Sequence, residues 1–139
     1  MQRVYQDLRI WKYAFELSSK VYAVIATLPE CESRNLADQM RRAVTSLPLN
    51  IAEGAASQTA RMFISHLKYA YASAQELEVQ LMLCAKMKYI DEQRFMQLYD
   101  ELDRFKRATY KFTFNLERKE NQKRFGFLNQ DRDVGKSHL

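Results

Sequence analysis

The stretch ARMFISHLKYAYASAQELEVQLMLCAKMK, Ala60 to Lys88, decides the fold class. Within it Phe63, Leu67, Ala70, Ala74, Leu77, Leu81 and Cys84 recur in alternating steps of four and three. That alternation lines one face of an α-helix, and a seam with this heptad-like spacing is what neighbouring helices pack against in a bundle. Thr59 stands just before the seam, where a hydroxyl accepts a bond from an orphan backbone N–H of the first turn. Ala70, Ala72, Ser73 and Ala74 form a narrow waist that lets a second helix come close.

The flanks repeat the pattern. Upstream, Leu36, Met40, Ala43, Leu47, Ile51 and Ala55 mark a helix over Ser33–Ala56. Pro48 lies inside it and removes one donor, but the apolar phase holds across the proline, so a kink is expected rather than a break. Gly54 near its end allows close helix packing or loosens the last turn. A first helix is expected over Asp7–Leu28, capped by Asp7 and stopped by Pro29. Its face reads Leu8, Trp11, Phe15, Val21 or Tyr22, Ile25 and Leu28. Downstream, Asp91 caps a fourth helix running at least to Leu116, with Ile90 and Phe95 as a hydrophobic staple. Its face is Phe95, Leu98, Leu102, Phe105, Phe112 and Leu116. The connections are short, so sequential helices should pack antiparallel. The reading is an all-α, antiparallel up-down four-helix bundle over residues 1–117, with its second helix kinked at Pro48. Residues 118–139 read as a basic, polar and poorly ordered tail.

Composition agrees. Three glycines and two prolines in 139 residues are too few for an all-β fold. An apolar share of 47% is that of a globular chain. No apolar run approaches the length that crosses a bilayer, and the first residues lack the core of a secretion signal. A cytoplasmic protein without membrane contact is expected, with Cys31 and Cys84 as free thiols.

Catalytic constellations are missing. A di-iron bundle needs Glu-x-x-His pairs, with both ligands projecting inward one turn apart. His66 has Phe63 three residues before it. The two cysteines lack metal-type spacing, and there is no phosphate-binding glycine loop or nucleophile elbow. Glu53, Glu76 and Glu78 read as salt-bridge or solvated carboxylates. The expectation is a non-enzymatic protein with no cofactor and no metal.

Two basic features remain in a chain of net charge +5. Arg41-Arg42 stand in mid-helix, where consecutive residues point about 100° apart. At least one flanks the packed face, either paired with an acid such as Glu76 or Glu78 or free to meet a phosphate. Arg104, Arg107, Lys111 and Arg118 form a stripe on the last helix, continued by Lys119, Lys123 and Arg124. That stripe suits a phosphate backbone, or it is a solvated face balanced by Asp100, Glu101 and Asp103. Tyr69 and Tyr71 cannot both face inward, so one is a candidate for a subunit interface.

A longer pattern joins these pieces. It runs through Asp7-Leu8, Trp11-Lys12, Leu28-Pro29 and Gln39-Met40-Arg41-Arg42-Ala43 into Ser46-Leu47-Pro48-Leu49-Asn50-Ile51-Ala52-Glu53-Gly54. It continues with Phe63, Leu67, Ala70, Ser73, Glu76-Leu77-Glu78 and Tyr89-Ile90. On these residues, from about Tyr5 to Leu116, the chain resembles the four-helix-bundle proteins encoded by intervening sequences of bacterial large-subunit ribosomal RNA genes. It departs from them at Ser57, where the family usually has Arg, and at Ala72-Ser73, where Gly-Ser is frequent. The resemblance implies a ring-forming homo-oligomer, commonly a pentamer. Some relatives look like the accessory variability proteins of diversity-generating retroelements, which bind nucleic acid and a reverse transcriptase. The function expected is therefore oligomeric binding of RNA or DNA through Arg41, Arg42, Arg104, Arg107, Lys111 and Arg118, with a reverse transcriptase as a further partner. The alternative is a homo-oligomeric scaffold or protein-interaction module without nucleic acid.

Overall fold

The computed structural model describes residues 4–136, the side chains of residues 127–136 excepted. Four helices follow one another: α1 (Arg9–Ile25), α2 (Leu36–Ala56), α3 (Ala60–Lys86) and α4 (Glu92–Lys136). Short 3-10 turns, Tyr5–Asp7 and Glu30–Glu32, precede α1 and α2. No strand occurs among the described residues. The chain is an all-α four-helix bundle.

The seam of α3 is the centre of the core. Leu67, Ala70, Ala74, Leu77, Leu81 and Cys84 are fully buried. They meet Met40, Val44, Leu47 and Ile51 of α2 and Leu98, Leu102 and Phe105 of α4 in one cluster. Each fully buried Leu contributes about 1.5–3 kcal/mol of transfer free energy. Each helix packs on two neighbours: α3 on α2 and α4, and α1 on α2 and α4. Contacts between α2 and α3 run from Met40–Cys84 at one end to Gly54–Phe63 at the other. Residue numbers thus rise along α2 as they fall along α3. Glu78–Lys106, Tyr71–Tyr110 and Lys68–Glu117 show the same reversal between α3 and α4.

Capping follows the sequence at two of the helices. The Thr59 hydroxyl accepts from the Met62 N–H at 3.1 Å, and Asp91 accepts from the Arg94 N–H at 2.7 Å. At α1 it does not. Asp7 closes the 3-10 turn, and Leu8 precedes the helix without a side-chain cap bond. The buried face of α1 is also turned from the expected one. Ile10, Ala14, Leu17, Val21, Val24 and Ile25 are buried, while Phe15 is 60% exposed. Two sets of apolar residues share helical spacing on α1, and the slimmer aliphatic set fills the interior. The aromatic set stacks outside it: Trp11 and Phe15 lie 4.6 Å apart, centroid to centroid, and Tyr5 meets Trp11 edge-on at 5.3 Å.

Pro48 lies within α2 without ending it. The boundary expected at residue 117 is not where the last helix stops, since α4 continues to Lys136. Glu117 to Arg124 contains no proline and is rich in good helix formers. Glu120 and Arg124 stand at the favourable four-residue spacing. Residues 137–139 of the expected tail lie outside the described residues.

Two backbone sites carry measurable energy. A methyl group on Gly54 would lie 2.8 Å from both His66 Cβ and Phe63 Cδ1, so α2 and α3 touch there with no room for a side chain. Lys88 adopts φ of 61° in a tight C-terminal turn closed by Tyr89 N–H to Cys84 O and Lys88 N–H to Ala85 O. Overpacking costs about 1–3 kcal/mol, and alanine regains about 1 kcal/mol of helix propensity over glycine. Gly54→Ala should therefore lower the urea midpoint. Lys88→Gly should raise stability by about 1 kcal/mol, because glycine bears no penalty in the left-handed region. A midpoint that rises for the first or falls for the second contradicts these assignments.

Candidate nucleic-acid interface

The expected basic residues occupy two separate places. Arg41 and Arg42 are on α2, which makes no packing contact with α4. Arg41 lies 3.9 Å from Asp38 of its own helix, and Arg42 is exposed. Neither takes the partner expected on α3. Asn50 meets His66 of α3, and Arg41 precedes Asn50 by nine residues, two and a half helical turns. Arg41 therefore points away from α3. Glu78 is instead held by Lys106 of α4 at 2.9 Å.

Arg104, Arg107, Lys111 and Arg118 lie together on α4, all exposed. Arg104, Lys111 and Arg118 stand seven residues apart, so they track one side of the helix over about 21 Å. None of the three forms an ion pair among the described residues. Arg107 meets Asp103 at 3.0 Å but stays 76% exposed, where such a pair is weak and screened by salt. The acids expected to balance the stripe are partly drawn elsewhere. Glu101 is held by Lys20 of α1 at 2.5 Å, and Asp100 is exposed.

Beside the stripe runs an aromatic line that the sequence reading passed over. Tyr110, Phe114 and Phe125 are 64%, 56% and 70% exposed. Tyr110 and Phe114 border a cleft of about 410 Å³ between α3 and α4, together with Leu67, Tyr71 and Thr113. A signal was present: Tyr110 and Phe114 are four apart and out of phase with the core residues Phe105 and Phe112.

The remaining polar groups read as structural. His66 Nδ1 lies 3.1 Å from Asn50 Oδ1 and 3.8 Å from Glu53 Oε2. Cys84 is buried beside Met40, its Sγ 3.7 Å from the Met40 Sδ. Burial, helped by the Glu32 carboxylate, pushes its thiol up to about 11, so it is no thiolate nucleophile at neutral pH. Cys31 is exposed and unbridged. Among the described residues no group of three or more His, Cys, Asp or Glu is placed to hold a metal ion. No helix there is long and apolar enough to cross a membrane.

The family model of the 23S rRNA-intervening sequence protein matches residues 6–111. The chain belongs to that family. This is the family that the Arg41-to-Gly54 pattern resembles. A crystal structure from Bacteroides thetaiotaomicron VPI-5482, described as a protein of unknown function from the S23 ribosomal protein family, superposes with a TM-score of 0.70. It is 21% identical and covers 75% of this chain and 97% of its own. That likeness concerns the fold. No curated protein matches the chain. Of this family member's basic stripe, Arg104, Arg107 and Lys111 fall within the matched residues and Arg118 falls beyond them.

Proposed function

We propose that this 23S rRNA-intervening sequence protein is a non-enzymatic, cytoplasmic protein that binds RNA or DNA along the outer face of α4. One observation carries the reading: Arg104, Lys111 and Arg118 repeat every seven residues, all exposed and without ion-pair partners among the described residues. Each Lys or Arg that meets a phosphate releases a counterion, and this release supplies affinity without sequence preference. A single bundle offers few such contacts. A homo-oligomer, a pentamer in the narrowest form of the proposal, repeats the stripe and multiplies weak contacts through effective concentration. Arg41 and Arg42 belong to a second, smaller patch on α2. An accessory role beside a reverse transcriptase is the narrowest form of the partner assignment.

The test is fluorescence anisotropy with labelled RNA and DNA across a salt series. Wild-type protein should bind both, with affinity falling steeply as salt rises. Changing Arg104, Arg107 and Lys111 together to Ala should weaken binding to every sequence and flatten the salt slope by roughly one unit per lost phosphate contact. Helical content should stay unchanged. Absence of binding up to roughly 100 μM protein, the weak end of non-specific association, rejects the reading.

A second reading, a homo-oligomeric scaffold, is favoured by two apolar stripes left outside the core. Phe15 and Tyr22 mark one on α1, and Met62, Tyr69, Val79 and Leu83 mark the other on α3. Because α1 and α3 do not touch, these stripes are separate surfaces, as a head-to-tail ring needs. Light scattering should give a mass several times 16.5 kDa at micromolar concentration. A monomer mass contradicts self-assembly.

A further inference from the structure

We infer that the cleft between α3 and α4 is a stacking slot for the bases of single-stranded nucleic acid. The inference rests on the α4 reading above and narrows it from any phosphate backbone to an unpaired strand.

The cleft, about 410 Å³, falls within the range of sites that hold small ligands. Its floor is Leu67 and Thr113, and its walls are Tyr71, Tyr110 and Phe114. The rings do not close on one another. Tyr71 and Tyr110 stand 6.3 Å apart with their planes tilted by 54°. Tyr110 and Phe114 each leave more than half their surface to solvent. Exposed aromatic rings on a rigid helix cost little ordering entropy when a flat partner arrives. Every base has a π-face, so such stacking tolerates any sequence.

The surroundings favour a nucleic acid over an apolar partner. Lys111 follows Tyr110 in the chain, and Arg118 lies one turn beyond Phe114. Lys111 points about 100° round the helix from Tyr110 and Arg118 about 40° from Phe114, so these cations lie on the solvent side of the cleft, where a sugar–phosphate backbone would run if bases entered it. Lys106 sits 5.5 Å from the centroid of Tyr71 and donates to the side-chain oxygen of Gln75. The Gln75 amide N–H₂ group has no partner among the described residues and can donate to a base edge. The one acid at the rim, Glu117, is paired with Lys68 at 3.1 Å. Duplex bases are stacked inside the helix and cannot present their faces to these rings.

The experiment compares a labelled 20-mer RNA with its duplex, at low salt, using the full chain. Tyr110→Ala with Phe114→Ala should weaken single-strand binding about ten-fold or more and leave duplex binding within about two-fold. Tyr110→Phe with Phe114→Tyr, which keeps both rings, should restore single-strand binding. Equal losses for both probes, or none for either, overturn the slot. If the Arg104, Arg107 and Lys111 variant loses binding while the Tyr110 and Phe114 variant keeps it, the slot fails and the phosphate reading stands. If wild-type protein binds neither probe, both fail. A change of oligomer mass in the ring-less variant, with RNA affinity unchanged, assigns the cleft to a second copy and overturns the proposal.

Discussion

The contact between α2 and α3 is the constraint on which the rest of the bundle depends. At Gly54 the backbone of α2 meets Phe63 and His66 with no space for a methyl group. From there the seam of α3 runs through Leu67, Ala70, Ala74, Leu77 and Leu81, all fully buried. The small residues at its middle let α2 approach, and the leucines on either side reach toward α4 as well. A helix that serves two neighbours with one face leaves its opposite face to solvent. That is why Tyr69, Val79 and Leu83 stand exposed on α3, and why α4, packed only along its inner side, can present a continuous outer one.

The outer side of α4 is where physical chemistry points to function. Its cations are held by a rigid helix, so their spacing is set by the helical rise and not by loop conformation. Its aromatic line lies next to the cations. Neither feature serves the fold: Tyr110 and Phe114 bury little, and Arg107 is paired only with its own helix. The Lys20–Glu101 pair draws one acid of α4 away from that surface, toward α1, and Lys106 of α4 holds Glu78 of α3 where those two helices meet.

The parts of the fold legible in the sequence were those with a single consistent period. On α3 the inner phase runs unbroken from Phe63 to Cys84, whereas the outer set of Met62, Tyr69 and Leu83 is interrupted at Glu76. Thr59 and Asp91 mark the helix starts with groups that can satisfy backbone donors. On α1 two phases fit. Trp11 and Phe15 obey helical spacing as well as Ala14 and Leu17 do, and only the volume available between helices chooses the aliphatic set. The apolar period carries α4 at least to Leu116, and beyond it only polarity, which reads equally as a tail, is left in the sequence. Polar residues with high helix propensity extend a helix whose preceding turns are anchored by packing. At the site, the stripe on α4 was legible because charge and period coincide. The partner of Arg41 was not, because Glu78 and Lys106 meet only once α3 and α4 are assembled. The cleft was missed because its walls come from two helices, and no one-dimensional pattern joins Tyr71 to Tyr110.

The outer face of α4 is the surface proposed to meet nucleic acid. The most direct measurement is an NMR titration of ¹⁵N-labelled protein with an RNA oligonucleotide. It should show amide shifts concentrated between Arg104 and Arg118 and at the facing turns of α3 around Lys68 and Tyr71. The amides of Val44, Leu47 and Ile51 in the core of α2 should stay unmoved. Shifts confined to α1, or centred on Arg41 and Arg42 with α4 silent, would contradict it.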